Sequence, residues 1–214
     1  LVLLGTTISL FLNSMTAYVL QRHAFKYRFE FTFFFYFTTL FSGGLVPLYI
    51  LIAKLNLRDT YLVMLIPFVV NVFYLIIVKT YFKSNIPEAI VESALLDGAG
   101  EFRTYATLFL PLAKPVLATI GLFVSLNYWN EWYSAMLYIQ NPNLFPLQYF
   151  LYKIFNSIKF AQIVAEQTGK AAGDLPQESF KYAMTIVTIG LVILFYPFIQ
   201  KYFIKGMTIG SVKG

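Results

Sequence analysis

The sequence predicts an all-α integral membrane protein, a polytopic helical bundle, on three observations. Hydrophobic residues make up 58% of the chain and charged residues 12%, about half the charged share of a soluble domain. The apolar residues gather in runs close to the ~20 residues that a helix needs to cross a bilayer. None of the runs alternates apolar and polar side chains as the strands of a membrane barrel must.

Five such runs divide the 214 residues: Leu1–Leu20, Phe31–Ile52, Tyr61–Phe82, Val116–Tyr138 and Tyr182–Phe203. Lys79 stands near one end of the third, where its stem can snorkel to the interface. Helix breakers fall inside the runs: Gly43-Gly44 and Pro47 in the second, Pro67 in the third, Pro197 in the fifth. In lipid, breakers are tolerated where neighbouring helices or a cavity satisfy the freed backbone groups. Ordinary kinks and a mobile pore wall both fit.

Orientation follows from lysine and arginine. Gln21–Glu30 carries Arg22, Lys26 and Arg28, Lys83–Lys114 carries Lys83, Arg103 and Lys114, and the tail carries Lys201, Lys205 and Lys213. These connections alternate with the others, so they share one side, and the positive-inside rule makes that side cytoplasmic. Lys153, Lys159, Lys170 and Lys181 on the other side weaken the bias without reversing it. The C-terminus is then cytoplasmic and Leu1 lies outside, so a sixth span is expected upstream of Leu1. The formal charge of +6 is spread over short connections and forms no continuous basic face; no nucleic acid is expected. With no cysteine and a single histidine, His23, disulfides, thiolate metal sites and Cys–His chemistry are excluded.

The connection 83–114 reads as structured. Ser84 or Asn85 is placed to cap a helix, Pro87 suits its first turn, and Glu88 favours the positive end of its dipole. Ile90, Val91, Ala94 and Leu95 recur at helical spacing and give one apolar face. Gly98 can adopt the left-handed conformation that closes a helix. A second helical run starts near Glu101 and ends before Pro111. So short a helix outside lipid needs something to dock against.

Glu92-Ser93-Ala94, Asp97-Gly98-Ala99 and then Leu108, Leu110 and Pro111 resemble the "EAA" loop of binding-protein-dependent ABC importer permeases. Ser93 stands where that pattern has alanine and Leu108 where it has isoleucine; neither change removes the turn or the charge. Pro111-Leu112-Ala113-Lys114-Pro115, Trp129-Asn130-Glu131-Trp132, Phe145-Pro146-Leu147-Gln148 and Lys201-Tyr202-Phe203-Ile204-Lys205-Gly206 extend the likeness along the chain. They resemble carbohydrate permeases, the smaller maltose-type subunit in particular. The resemblance implies one permease domain of the type I importer kind over 1–214, in the inner membrane of a prokaryote. It implies a heterodimer with a second permease, two ATPase subunits that hold ATP and Mg, and an extracytoplasmic solute-binding protein. The motif helix would sit in a groove on the ATPase, with Glu92, Ser93, Ala94, Asp97, Gly98, Ala99, Leu108, Leu110 and Pro111 at the joint and the basic tail nearby.

In the fourth run Asn127, Asn130, Glu131, Ser134 and Tyr138 follow spacings of three and four, one face of a single helix. An ionisable group at the depth of Glu131 is costly against lipid. A hydrogen bond to a neighbouring helix and a sugar path both fit. The neighbouring Tyr128, Trp129, Trp132 and Tyr133 fit either sugar stacking or an interfacial aromatic belt. Thr6, Ser9, Asn13 and Thr16 form a weaker stripe in the first run, read as helix packing. The outer segment 139–181 holds Leu147, Leu151, Ile154 and Ile158, the pattern of an amphipathic helix. Interfacial packing explains it, as does contact with a solute-binding protein.

Other chemistry fits less well. Glu88, Glu92, Asp97 and Glu101 lack a nearby histidine that would make them a metal cluster. Gly98-x-Gly100 has Arg103 where a dinucleotide fingerprint needs glycine. The chain has no P-loop, so nucleotide falls to a partner. The function expected is import of a carbohydrate, an oligosaccharide, by alternating access, with no covalent catalysis. A permease for a non-sugar solute is the alternative. An ion-coupled carrier would need repeated halves and ionisable midplane residues.

Overall fold

The computed structural model describes residues 1–168, 178–190 and 192–193, and no strand occurs among them. The order is α1 Val2–Gln21, α2 Arg28–Leu40, α3 Leu45–Lys54, α4 Tyr61–Val69, α5 Val72–Asn85, α6 Glu88–Leu96, α7 Glu101–Thr104, a π-helical turn Tyr105–Phe109, and α8 Leu110–Leu112. There follow α9 Lys114–Trp129, α10 Tyr133–Tyr138, a 3-10 turn Pro142–Leu144 and α11 Leu147–Thr168. A helix over 178–190, α12, starts four residues before the expected fifth span. Pro197, Lys170, Lys201, Lys205, Lys213 and the remainder of that span lie outside the described residues.

α1 is the described helix long and apolar enough to cross a bilayer unaided. Three bent pairs reach that length together: α2 with α3 at 115°, α4 with α5 at 42°, and Glu101–Leu112 with Lys114–Tyr138 at 82°. The second run is therefore not one kinked helix. Gly44 has φ +83°, a conformation that side chains resist. Pro47 is the third residue of α3, where a backbone N–H has no intrahelical partner to lose. Gly44 and Pro47 start a new helix rather than bend an old one.

α1 is the hub: it packs on α5, α9, α4 and α2. It does so with small and polar residues, because Gly5, Ser9, Asn13, Ser14 and Ala17 are all buried, the side chains that let membrane helices approach closely. A Cβ on Gly5 would stand 2.5 Å from the ring of Tyr128 on α9, which is 1% exposed. The Tyr128 hydroxyl in turn donates to the Leu65 carbonyl of α4.

The stripe on α1 has a definite job at the α4–α5 break. Pro67 stays inside α4, and the helix stops two residues later, at Val69. Asn13 fills the gap from across the interface. Its Nδ2 donates to the Val69 carbonyl (2.9 Å) and the Ser9 carbonyl (2.7 Å), and its Oδ1 accepts from the Asn71 N–H (3.2 Å). Asn71 then caps α5, its Oδ1 accepting from Phe73 N and Tyr74 N. The broken backbone is thus satisfied by protein, as it must be where water is scarce.

Candidate functional site

The motif segment forms the short helix, tight turn and returning helix that its residues predict. Pro87 occupies the N-cap position of α6, one residue ahead of the first turn expected for it, and no side chain caps the helix, neither Ser84 nor Asn85. α5 runs on through both of those residues, and the Asn85 amide is turned back onto the Tyr81 carbonyl. At the other end Asp97 is the C-cap and Gly98 has φ +81°. Gly98 N–H donates to the Leu95 carbonyl and Ala99 N–H to the Ala94 carbonyl, both at 3.0 Å. This pair of bonds is the Schellman arrangement, which needs a left-handed residue at the position of Gly98.

α6 divides into an anchored face and a free one. Val91 is 2% exposed and joins Ile86, Phe82, Tyr105 and Phe109 in the core, with Ala94 and Leu95 half-buried beside it. Leu96 is 88% exposed, Ile90 lies open as well, and Glu92, Ser93 and Asp97 stand on the surface with them. An apolar surface this open on a nine-residue helix leaves burial energy unclaimed within the chain.

Behind the turn stands a cluster that the sequence did not reveal. Glu101, the first residue of α7, accepts hydrogen bonds from the Tyr18 hydroxyl and from Arg22 Nη2, the latter at 3.3 Å. Burial alone would raise the Glu101 carboxyl. The bonds from Tyr18 and Arg22 and the Arg22 charge outweigh it and hold the group below the usual range. Arg22 is 9% exposed, although in the sequence it counts only as an orientation charge. His23 Nε2 lies 3.7 Å from Glu88 Oε2, so the α1–α2 connection touches the first residues of both α6 and α7. Tyr105, buried, shares a hydrogen bond with Ser14 of α1 at 2.7 Å.

The end of the motif explains its own proline. The N–H of Leu110 bonds to the Tyr105 carbonyl, five residues back, so the turn is widened to π form. In a regular helix the ring of Pro111 would press on the Thr107 carbonyl; the wider turn relieves this. Leu108 and Leu110 are half-buried against the core, while Pro111 lies at the surface.

The polar stripe of the fourth run is interrupted. α9 ends at Trp129, α10 starts at Tyr133, and Asn130 to Trp132 are not helical. The expected single face is thereby split, since Asn127 and Asn130 are exposed and Glu131, Ser134 and Tyr138 are buried. The physical reason is Glu131 itself. Its Oε1 accepts from the Ser134 N–H at 2.6 Å, capping α10, a use of the carboxylate that competes with continuing the helix. Asn127 donates to the Tyr74 hydroxyl on α5, and Asn130 to its own helix at Leu126. The Tyr138 hydroxyl is buried without a partner, and Tyr138 stacks on Tyr49 at 5.5 Å. Together with Asn56, Arg58, Asp59 and Gln140 it lines an open cleft. Asp59 fixes the rim by accepting from Gln140 N and Asn141 N.

α11 carries Leu151, buried, with Ile154 and Ile158 half-buried and Leu147 exposed. Trp132 stacks on its Tyr152 at 4.5 Å, and Trp129 donates from its indole to the Thr188 carbonyl of α12.

The chain as a whole is similar to known transport proteins. The family described as "Binding-protein-dependent transport system inner membrane component" matches residues 4–209. The Bacillus subtilis polygalacturonan/rhamnogalacturonan transport system permease protein YtcP is 38% identical, covering 99% of this chain and 73% of the relative. Protein LplC of the same organism is 36% identical over 98% of this chain and 70% of its own length. The crystal structure of a bacterial ABC transporter that imports the acidic polysaccharide alginate contains a chain with TM-score 0.81 and 31% identity. It covers 94% of this chain and 71% of that one.

Proposed function

Because this chain belongs to the binding-protein-dependent inner membrane permeases, we propose that it couples a partner's ATP hydrolysis to carbohydrate import through the segment 83–114. It is an all-helical permease of the type I importer fold, and ATP is hydrolysed by a separate ATPase. The observation that carries the coupling role is the free face of α6, with Leu96 at 88% exposure beside Glu92 and a rigid Schellman turn. A knob of that shape fits a groove on the ATPase. Glu92, Ser93, Ala94, Asp97, Gly98 and Ala99 form the contact. Leu108, Leu110 and Pro111 tie it to the bundle.

The wider assembly follows in the same reading. A second permease completes the pore, two ATPases hold ATP and Mg, and a solute-binding protein meets the outer segment 139–181. Five spans cross with the C-terminus in the cytoplasm, as the lysine and arginine bias suggests. The wall of the path includes Asn127, Asn130, Ser134 and Tyr138, with Glu131 holding the bend between α9 and α10. Polygalacturonan and alginate in the relatives' names favour an oligosaccharide as cargo, and the exposed amides of Asn127 and Asn130 suit its hydroxyls.

Ligand-stimulated ATP hydrolysis by the assembled transporter tests the function. Oligosaccharides presented with the binding protein should raise the rate. Stimulation by amino acids or peptides alone, across a broad sugar panel, would contradict the carbohydrate assignment.

A further inference from the structure

A second charged feature lies apart from the motif, on the seam between α2 and α5. Lys79 of α5 donates from Nζ to the Thr32 hydroxyl of α2 at 2.8 Å. Lys83 follows Lys79 by four residues, one turn further along the same face of α5. Arg28 precedes Thr32 by four residues, and the Thr32 hydroxyl is bonded to the Arg28 carbonyl. Helical spacing therefore sets the three cations along one seam, joined through Thr32.

Among the described residues no acid forms an ion pair with them. The ion pairs among the described residues join Arg22 to Glu101 and His23 to Glu88. Glu30, the acid on α2, pairs with none of the three. The ammonium of Lys79 has three donors and spends one on Thr32. Mutually repelling cations held at a helix seam are costly unless an anion is supplied. Next to them α2 turns a mainly aromatic surface outward, with Glu30, Thr38 and Thr39 its exposed polar residues. α2 buries no residue, and Phe29, Phe33, Phe34 and Phe37 are exposed along it. A ligand with a negative head and a long apolar body matches both halves of the surface.

We propose that Arg28, Lys79 and Lys83 form a binding site for the phosphate of an anionic phospholipid whose acyl chains lie along α2. The site rests on the orientation given above, in which these residues face the cytoplasmic leaflet, where basic pockets between helices gather lipid headgroups. The lipid would brace the α2–α5 seam.

Native mass spectrometry of the whole transporter, taken from membranes of mixed phosphatidylglycerol and phosphatidylcholine, tests this. Phosphatidylglycerol should be retained preferentially. Lys79→Gln and Lys83→Gln should each weaken that retention by about fivefold, the loss of one near-surface cation. Lys79→Arg should preserve it, which separates charge from packing. Undiminished retention in the Lys79→Gln, Lys83→Gln double variant would overturn the site, as would displacement by millimolar inorganic phosphate alone. A transporter that still hydrolyses ATP in response to sugar but shows no lipid preference would lose this inference only. Labelling of a cysteine at Lys83 from the outer face would instead overturn the orientation.

Discussion

Gly98→Val abolishes uptake while leaving the subunit in the membrane: this is the outcome expected at the coupling turn. A Cβ at Gly98 meets nothing within 4 Å, so space is not the obstacle. Conformation is. At φ +81° a β-branched residue is strained by about 1–3 kcal/mol. That shifts the population of the docking-competent turn by roughly 5- to 150-fold. The strain is confined to an exposed turn, so the bundle should assemble and the ATPase should wash off more easily. Gly98→Asn, which tolerates the left-handed region, should recover much of the activity. Normal uptake by Gly98→Val, measured with labelled sugar, would contradict the role of the turn.

Asn13→Leu is the change expected to cost most in stability. Leucine matches the size of asparagine but leaves the Val69 carbonyl and the Asn71 N–H without the partners they have across the interface. Both bonds are part-buried. In a bilayer, where water is scarce, each group left without a partner costs about 1–3 kcal/mol, a range that exceeds the ~0.6 kcal/mol average of interhelical bonds in membrane proteins. The larger figure applies because the α4–α5 break has already removed the groups' helical partners. The purified transporter should melt roughly 5 °C lower or more, and Asn13→Leu should allow α4 and α5 to change their 42° bend. Unchanged thermal stability would show that water or another group satisfies the break.

Much of this site was legible in the sequence because its signals are local. The Schellman turn needs glycine at one position, and Gly98 supplies it; of the expected apolar face, Val91, Ala94 and Leu95 turn to the core, but Ile90 lies open on the surface. What stayed hidden was direction and partnership. Hydropathy counts apolar residues but not the angle between helices, so Phe31–Ile52 read as one span although Gly44 turns it by 115°. Spacings of three and four place Asn127 to Tyr138 on one face only while the helix continues, and Glu131 ends that continuity by capping α10. Pro67 is the breaker that the sequence displays, yet it stays within α4 and the break falls at Asn71, whose type is itself a helix-start signal. Asn13 and Arg22 find their partners more than fifty residues away, at Val69 and Asn71 and at Glu101 respectively. No periodicity could have announced those contacts.

The central claim is that the free face of α6 meets the ATPase. The chain has no cysteine, so Leu96→Cys places one reactive thiol on the free face of that helix, where Leu96 is 88% exposed. A short bifunctional crosslinker applied to the intact complex should join it to the ATPase subunit, with a yield that changes when ATP is bound. A cysteine at Asn143, exposed in the 3-10 turn Pro142–Leu144 and on the outer side in the proposed orientation, should give no such product. An intact complex in which Leu96→Cys reaches no ATPase, while the outer cysteine does, would contradict the account.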